Sequence, residues 1–306
     1  VKNKDLITVE DLTLDEINKI LNYAAKLKKR PKKRKDLEGK TLGLVFQKPS
    51  NRTRVSFSVG MYQLGGNTIY LAPEELQLGK RESIKDVARV LSKYIDIIAA
   101  RTYSHDDLVE FAHESDVPVI NALTDLLHPA QALSDIFTIK ELKKHFKDVK
   151  LSYIGDGNNV LHSLMLTASR VGLNMHIATP KGYEPNNNIV KKAQDEAKLH
   201  KSEVVLGNDP VEAVKDADFI YTDVWTSMHQ KDEFDKRKEI FSAYQINKQL
   251  LAKAKKDYYI MHCLPAQRGF EITDEVMDAP QSICYEQAEN RLHVQKAILL
   301  LLLKNK

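Results

Sequence analysis

The sequence predicts an α/β protein of two doubly wound domains. Each is expected to hold a central parallel sheet flanked by helices, with bridging helices joining the two. Three observations predict this. Short apolar, strand-like runs alternate with helical segments of ordinary length along the chain, the trace left by parallel strands with crossover helices. The runs fall into two series separated by one amphipathic segment. At 306 residues the chain is long enough for two such domains.

The elements follow in order. Leu12-Thr13-Leu14-Asp15-Glu16-Ile17 opens a helix, with Thr13 as N-cap and Glu16 completing a capping box. Strands are predicted over 41–46, 68–71, 95–100 and 117–121, then over 150–154, 175–178, 203–206, 219–222 and 258–261. Between the series, Leu133 to Leu142 reads as an amphipathic bridging helix. A last helix, from about Ala288, is expected to pack back on the first domain. The predicted domains are therefore 1–145 with 288–306, and 146–287. No internal repeat at solenoid periods and no low-complexity segment is found.

Bulk properties narrow the function classes. With 42% apolar and 29% charged residues, a packed core is expected and disorder is not. The net charge of +4 is small, and most of the excess sits in the run from Lys26 to Lys35. No aromatics interleave that run, so it reads as a solvated helix end, not a nucleic-acid surface. The longest aliphatic run, Ala297 to Leu303, is too short to cross a bilayer. Two cysteines, Cys263 and Cys284, fit a reducing compartment. A cytoplasmic enzyme is expected, or an organellar matrix enzyme if a presequence has been removed.

Polar groups gather where strands end, the place where open α/β sheets bind ligands. Ser50-Asn51-Arg52-Thr53-Arg54 follows the run ending at Phe46. Two arginines with interleaved hydroxyls at a helix start suit a small dianion, because helix N-terminal amides and guanidinium forks both match phosphate oxygens. Arg101, His128 with Gln131, Gly155 to Asn159, Asp223 to Met228, and His262-Cys263-Leu264-Pro265 follow the other runs. Each has a bland reading alone: a surface salt bridge for Arg101, a satisfied loop histidine for His128, a turn cap for Asp223, a strand-end thiol for Cys263. The Gly155-Asp156-Gly157 turn lacks the GxGxxG spacing, so no nucleotide cofactor is expected. Six polar groups at six strand ends argue for a site.

Taken in order, these motifs resemble those of the aspartate/ornithine carbamoyltransferase family, and of its ornithine branch. The resemblance rests on Phe46-x-Lys48-x-Ser50-x-Arg52-Thr53-Arg54, His128-Pro129-x-Gln131, Asp223-x-Trp225-x-Ser227-Met228, His262-Cys263-Leu264-Pro265 and Glu289-Asn290-Arg291. It runs from about residue 5 to residue 300. The resemblance implies that the first domain holds carbamoyl phosphate through Ser50, Asn51, Arg52, Thr53, Arg101, His128, Gln131, Cys263, Leu264 and Arg291. It implies that Gln77 reaches a neighbouring subunit's site, hence a homotrimer or a multiple of one. Ornithine would lie on Asn159, Asp223, Ser227 and Met228. Arg101, His128 and Cys263 would serve the chemistry, Cys263 by orienting with Asp223 and not covalently. The implied product is citrulline, a step of arginine biosynthesis or of urea-cycle type. No metal, cofactor, nucleic acid or membrane is implied.

Two positions depart from the pattern: Asn51 stands where the signature has Thr, and His229 where the Ser-Met loop usually has Gly. The second leaves the amine acceptor open between ornithine, putrescine and an N-acylated ornithine. A catalytically silent phosphate-binding subunit is the reading from another class, opposed by the intact Arg52, His128, Asp223 and Cys263.

Overall fold

The structure is a computed structural model, and it describes residues 4–29, 34–78, 81–226 and 234–304. By its internal contacts the chain divides into two units, 1–137 with 290–306, and 138–289. The sequence reading put these divisions at 145 and 287. The contacts put them inside two helices, so the chain passes from one unit to the other without a loop.

The first unit begins with α1 (Leu14–Lys29). Its capping box forms: the Glu16 amide donates to Thr13 Oγ1 at 3.2 Å, and the Thr13 amide donates to Glu16 Oε2 at 2.9 Å. Then come β1 (Thr41–Phe46), α2 (Asn51–Gln63), β2 (Asn67–Leu71), α3 (Pro73–Leu76), α4 (Ile84–Leu91), β3 (Ile97–Arg101), α5 (His105–Glu114), β4 (Val119–Leu123) and α6 (Pro129–Lys143). The strands pair in parallel in the order β2-β1-β3-β4. From Leu42 to Phe46, β1 is buried throughout, as a strand covered on both faces must be. At Gly43 a Cβ would sit 2.4 Å from Ile95 Cδ1, so the glycine leaves room for that side chain against β1. Val45, Val87, Ile98, Leu108, Phe111 and Val119 build the core beside it.

Two predicted strands of this unit begin two residues later than expected. Asp96 accepts from the Thr41 amide at 2.9 Å and ends the approach to β3. Pro118 has no amide to give a ladder, so β4 starts at Val119. Arg101 is therefore the last residue of β3. A register shift between Ala100 and Arg101 bulges the pairing with β4, and a bulge re-aims the side chain that follows it.

The second unit holds β5 (Lys150–Ile154), α7 (Asn159–Val171), β6 (Asn174–Ala178), α8 (Asn187–Leu199), β7 (Val204–Gly207), α9 (Pro210–Val214), β8 (Phe219–Thr222), α10 (Phe234–Phe241), α11 (Lys248–Leu251), β9 (Tyr259–His262) and α12 (Asp274–Met277). Its sheet is parallel, in the order β7-β6-β5-β8-β9. Ile154, Ile220, Ile246, Leu251, Ile260 and Val276 pack together on it. Asp218 braces the strand starts, accepting from Lys143 at 2.8 Å, Lys255 at 2.7 Å and the Lys150 amide at 2.9 Å. The last helix, α13 (Cys284–Lys304), starts four residues before the expected position. Its residues from Asn290 on belong to the first unit, where Lys296 Nζ donates to Gln63 Oε1 at 2.7 Å.

Each sheet has one point where the winding reverses. In the first it lies between β1 and β3, in the second between β5 and β8. Ligand crevices of open parallel sheets form outside the carboxyl ends of strands at such points. The strand ends and helix starts there carry Ser50 to Arg54 with Arg101, and Gly155 to Asn159 with Asp223.

Candidate active site

In the first unit, Ser50 is the N-cap residue of α2 and has extended backbone, but its side chain makes no capping hydrogen bond. The first-turn amides of α2 thus keep the uncapped, partly positive character that favours an anion. Thr53 is buried, and its Oγ1 accepts from Arg291 Nη2 at 2.8 Å. This bond fixes α13 to the start of α2. The two arginines of the cluster diverge: the Arg54 guanidinium stacks on the Tyr70 ring at 4.0 Å, whereas Arg52 is one of the charges felt at Arg101.

Arg101 is 8% exposed, and its Nε is buried with no hydrogen-bond partner among the described residues. Burial, then the charges of Arg291 and Arg52, bring its guanidinium down to about 10, so it remains a cation at neutral pH. Lys48 is 6% exposed and lies over the Tyr103 ring at 5.2 Å. Burial, then Arg101, bring its ammonium down to about 8, with Asp125 opposing. His128, buried just before Pro129 opens α6, is pushed well below the ordinary histidine range by burial, then by Arg291, Arg101 and Lys48. Its imidazole is therefore neutral at neutral pH. Cations thus surround a neutral histidine, and the charges felt at His128 are all repulsive to its protonated form. The positive charge gathered there favours an anion. Gln131 is buried one turn into α6, with Nε2 donating to Asp135 Oδ1 at 2.8 Å. Gln77 is exposed at φ +42°, with its side-chain Nε2 donating to the Glu74 carbonyl at 3.3 Å.

In the second unit, Asp223 is a buried acceptor after β8. Its Oδ1 accepts from Cys263 Sγ at 3.0 Å and from the Val224 amide at 2.8 Å, while Oδ2 accepts from Asn158 Nδ2 at 2.8 Å. Asn158 also caps α7, its Oδ1 accepting from the Val160 and Leu161 amides at 3.0 and 3.1 Å. Gly157 is required in the turn before it, because a Cβ would fall 2.4 Å from the backbone at Glu184 and Pro185.

After β9, Leu264 adopts φ +58°, a conformation costing a non-glycine residue roughly 1–2 kcal/mol. Its amide donates to His262 Nδ1 at 2.9 Å, and His262 Nε2 lies 3.1 Å from Glu271 Oε1, with both side chains fully buried. Asp223, His262 and Cys263 bring ligand-type atoms within 4.8 Å of one another. Both imidazole nitrogens are engaged in the contacts just given, so the imidazole offers no spare lone pair to a metal.

The structure therefore groups Lys48, Arg52, Thr53, Arg101, His128 and Arg291 in one unit, and Asp223 with Cys263 in the other. Asn159 opens α7, but the neighbouring Asn158 holds Asp223. Ser227, Met228 and His229 lie outside the described residues. Reading by sequence missed three members. Lys48 gave a signal as a cation directly after a buried strand, and Asn158 gave one as an N-cap asparagine. Arg237 gave none: it is buried in α10, donates to the Trp225 carbonyl at 2.8 Å, lies 3.2 Å from Asp156 and stacks 4.7 Å from the Tyr183 centroid.

Comparison with known proteins bears on both units. Residues 4–141 match the family model described as aspartate/ornithine carbamoyltransferase, carbamoyl-P binding domain, and residues 147–302 match the Asp/Orn binding domain of the same family. The chain is 53% identical over 305 residues to an ornithine carbamoyltransferase of Bacillus thuringiensis subsp. konkukian, covering 100% of this chain and 96% of that protein. It is 52% identical over 306 residues to that of Pyrococcus abyssi, covering 99% and 96%. Among solved structures, the ornithine carbamoyltransferase of Pyrococcus furiosus matches with a TM-score of 0.97 at 50% identity, covering 100% of this chain and 98% of that one. The anabolic enzyme of Campylobacter jejuni matches with a TM-score of 0.94 at 38% identity, covering 99% and 100%.

Proposed function

The chain belongs to the aspartate/ornithine carbamoyltransferase family, and from that premise we propose that it transfers the carbamoyl group of carbamoyl phosphate to the side-chain amine of L-ornithine, giving L-citrulline and phosphate. The observation that carries this reading is the group of Lys48, Arg101 and Arg291 around a neutral His128, with the charge of Arg52 felt at Arg101. It suits a compact phosphate dianion attached to a polar acyl group.

The phosphate is held by the α2 amides, Ser50, Asn51, Arg52 and Thr53, with Arg101 and Arg291 adding charge. In the reaction the amine nitrogen attacks the carbamoyl carbon, the bond from that carbon to the phosphate oxygen breaks, and the pair leaves with phosphate. A neutral His128 donates one N–H to the carbamoyl oxygen as negative charge develops on it. The amine must attack unprotonated. With a lysine-like pKa of ~10.4, forming that species at pH 7 costs about 4–5 kcal/mol. The arginines offset part of the barrier by stabilising the departing phosphate, which accepts the amine's proton. Asp223, oriented by Asn158 and Cys263, takes the α-ammonium of ornithine. Asn159 and the Ser227-Met228 segment take its carboxylate. Gln131 addresses the carbamoyl nitrogen.

The proposal includes assembly into a homotrimer or a multiple of one. In the first unit α2 and the edge strand β2 leave Val55, Val59, Tyr62 and Ile69 exposed, an apolar face that association would cover. Gln77 would then serve a neighbour's site. Light scattering after gel filtration tests the assembly. No helix among the described residues is long and apolar enough to cross a membrane, and a reducing, cytoplasmic setting accords with Cys263 and Cys284, neither of which is in a disulfide. Assaying ornithine, putrescine and N-acetylornithine with carbamoyl phosphate tests the activity: citrulline from ornithine supports it, and turnover of putrescine alone overturns it.

A further inference from the structure

Gln131 is 1% exposed and Asp135, one turn further along α6, is fully buried. Gln131 Nε2 donates to Asp135 Oδ1 at 2.8 Å. Gln131 Oε1 is buried and has no hydrogen-bond partner among the described residues. Buried polar atoms in folded proteins are nearly always paired, so an orphaned amide oxygen three residues from His128 calls for an explanation.

The carboxylate supplies the first half of one. A carboxylate oxygen accepts, so the end of the amide facing Asp135 must be the NH₂. Turning the amide over would set two acceptors against each other in a buried place. Gln131 is thus held in one orientation, with its oxygen left for something else, and only a hydrogen-bond donor satisfies that oxygen.

We propose that Asp135 is a positioning residue that locks Gln131 as an acceptor, and that this lock selects an acyl phosphate whose acyl group bears N–H. The inference rests on the carbamoyl-phosphate reading above. Acetyl phosphate has nearly the same shape but puts a methyl group where carbamoyl phosphate has NH₂. It leaves the Gln131 oxygen unsatisfied. Sites built to bond a polar group discriminate strongly against analogues that lack it, because their own buried groups then stay unpaired. Asp135 itself touches no substrate.

The test is Asp135→Asn in the full chain. An asparagine amide can accept from Gln131 Nε2 or donate to its Oε1, so the lock is released. The KM for carbamoyl phosphate is expected to rise about tenfold to thirtyfold, while the inhibition constant of inorganic phosphate stays within about twofold. The preference for carbamoyl over acetyl phosphate falls by the same factor as the KM rises. In a Gln131→Ala background, Asp135→Asn adds nothing further to the KM, a non-additivity that a general loss of stability does not produce. An unchanged carbamoyl phosphate KM, or an equal rise in the phosphate inhibition constant, overturns the role given to Asp135. Should the variant not fold, the unmodified protein decides: acetyl phosphate competing as well as carbamoyl phosphate overturns the proposal, and binding at least tenfold weaker supports it. Absence of citrulline formation by the unmodified protein is a different result, and overturns the carbamoyl-transfer reading itself.

Discussion

Replacing Lys48 by Met is expected to stabilise the free protein at neutral pH and to weaken its hold on a phosphate dianion. Lys48 has an ammonium lowered from 10.5 to about 8, by burial first and then by Arg101. A lysine whose folded pKa is depressed opposes folding wherever it must carry its charge in the native state. The penalty is full below the folded value, shrinks as pH rises from about 8, and is gone above the unfolded value of 10.5. The depression corresponds to about 3 kcal/mol at pH 7. Loss of the contact over Tyr103, 5.2 Å from the ring, offsets about 1 kcal/mol of the gain. A net gain of about 2 kcal/mol remains, worth roughly 3 °C in a chain this long. The assay is thermal unfolding of both proteins without ligand at pH 7 and pH 9, followed by carbamoyl phosphate titration. The variant should melt higher at pH 7, by a margin that narrows at pH 9, and bind carbamoyl phosphate about tenfold more weakly. A variant that melts lower at pH 7 and binds the anion as before would refute the reasoning.

The other expectations are more local. Cys263→Ser keeps a donor to Asp223 and should retain activity within about tenfold, whereas Cys263→Ala should raise the KM for ornithine by about 1–2 kcal/mol in binding; rapid-quench kinetics showing a covalent carbamoyl-enzyme would contradict the orienting role. Asn158→Asp sets a second carboxylate against Asp223, where the amide nitrogen now lies 2.8 Å from Oδ2. It should raise the KM for ornithine at least tenfold and leave carbamoyl phosphate binding unchanged, as steady-state kinetics can show. Asp218 is more acidic than a free aspartate; burial raises its pKa, but the hydrogen bonds from Lys143, Lys255 and the Lys150 amide more than offset this. Its contribution to stability is therefore full above the unfolded aspartate value and lost as pH falls through the lower folded one. Asp218→Asn should cost about 2–4 kcal/mol at pH 7 and little in strong acid, measured by denaturant unfolding across pH.

The architecture was legible because β1, β3, β5 and β8 are apolar runs that end abruptly in polar residues. Alternation of such runs with helices dictates parallel pairing, and the reversal points then follow from strand order. Boundaries were less legible where a single side chain decides them, as Asp96 and Pro118 do. The anion grip could be read from Ser50 to Arg54 because hydroxyls and guanidinium groups at a helix start have few other uses. What could not be read was which arginine turns inward: Arg54 lies on Tyr70, a residue brought near only by the pairing of β1 with β2. Nor did spacing reveal that a bulge re-aims Arg101, that Asn158 and not Asn159 holds Asp223, or that Arg237 reaches Asp156 across 81 positions of sequence. Those depend on tertiary packing, which local pattern does not encode.

The most direct test of the central claim follows the carbamoyl carbon. Carbamoyl phosphate labelled at that carbon is mixed with L-ornithine and the protein, and the products are resolved by NMR. Label appearing in the ureido carbon of citrulline, with one phosphate released for each citrulline formed, is the predicted result. Tight binding of carbamoyl phosphate with no labelled citrulline, or label passing to putrescine but not to ornithine, would contradict it.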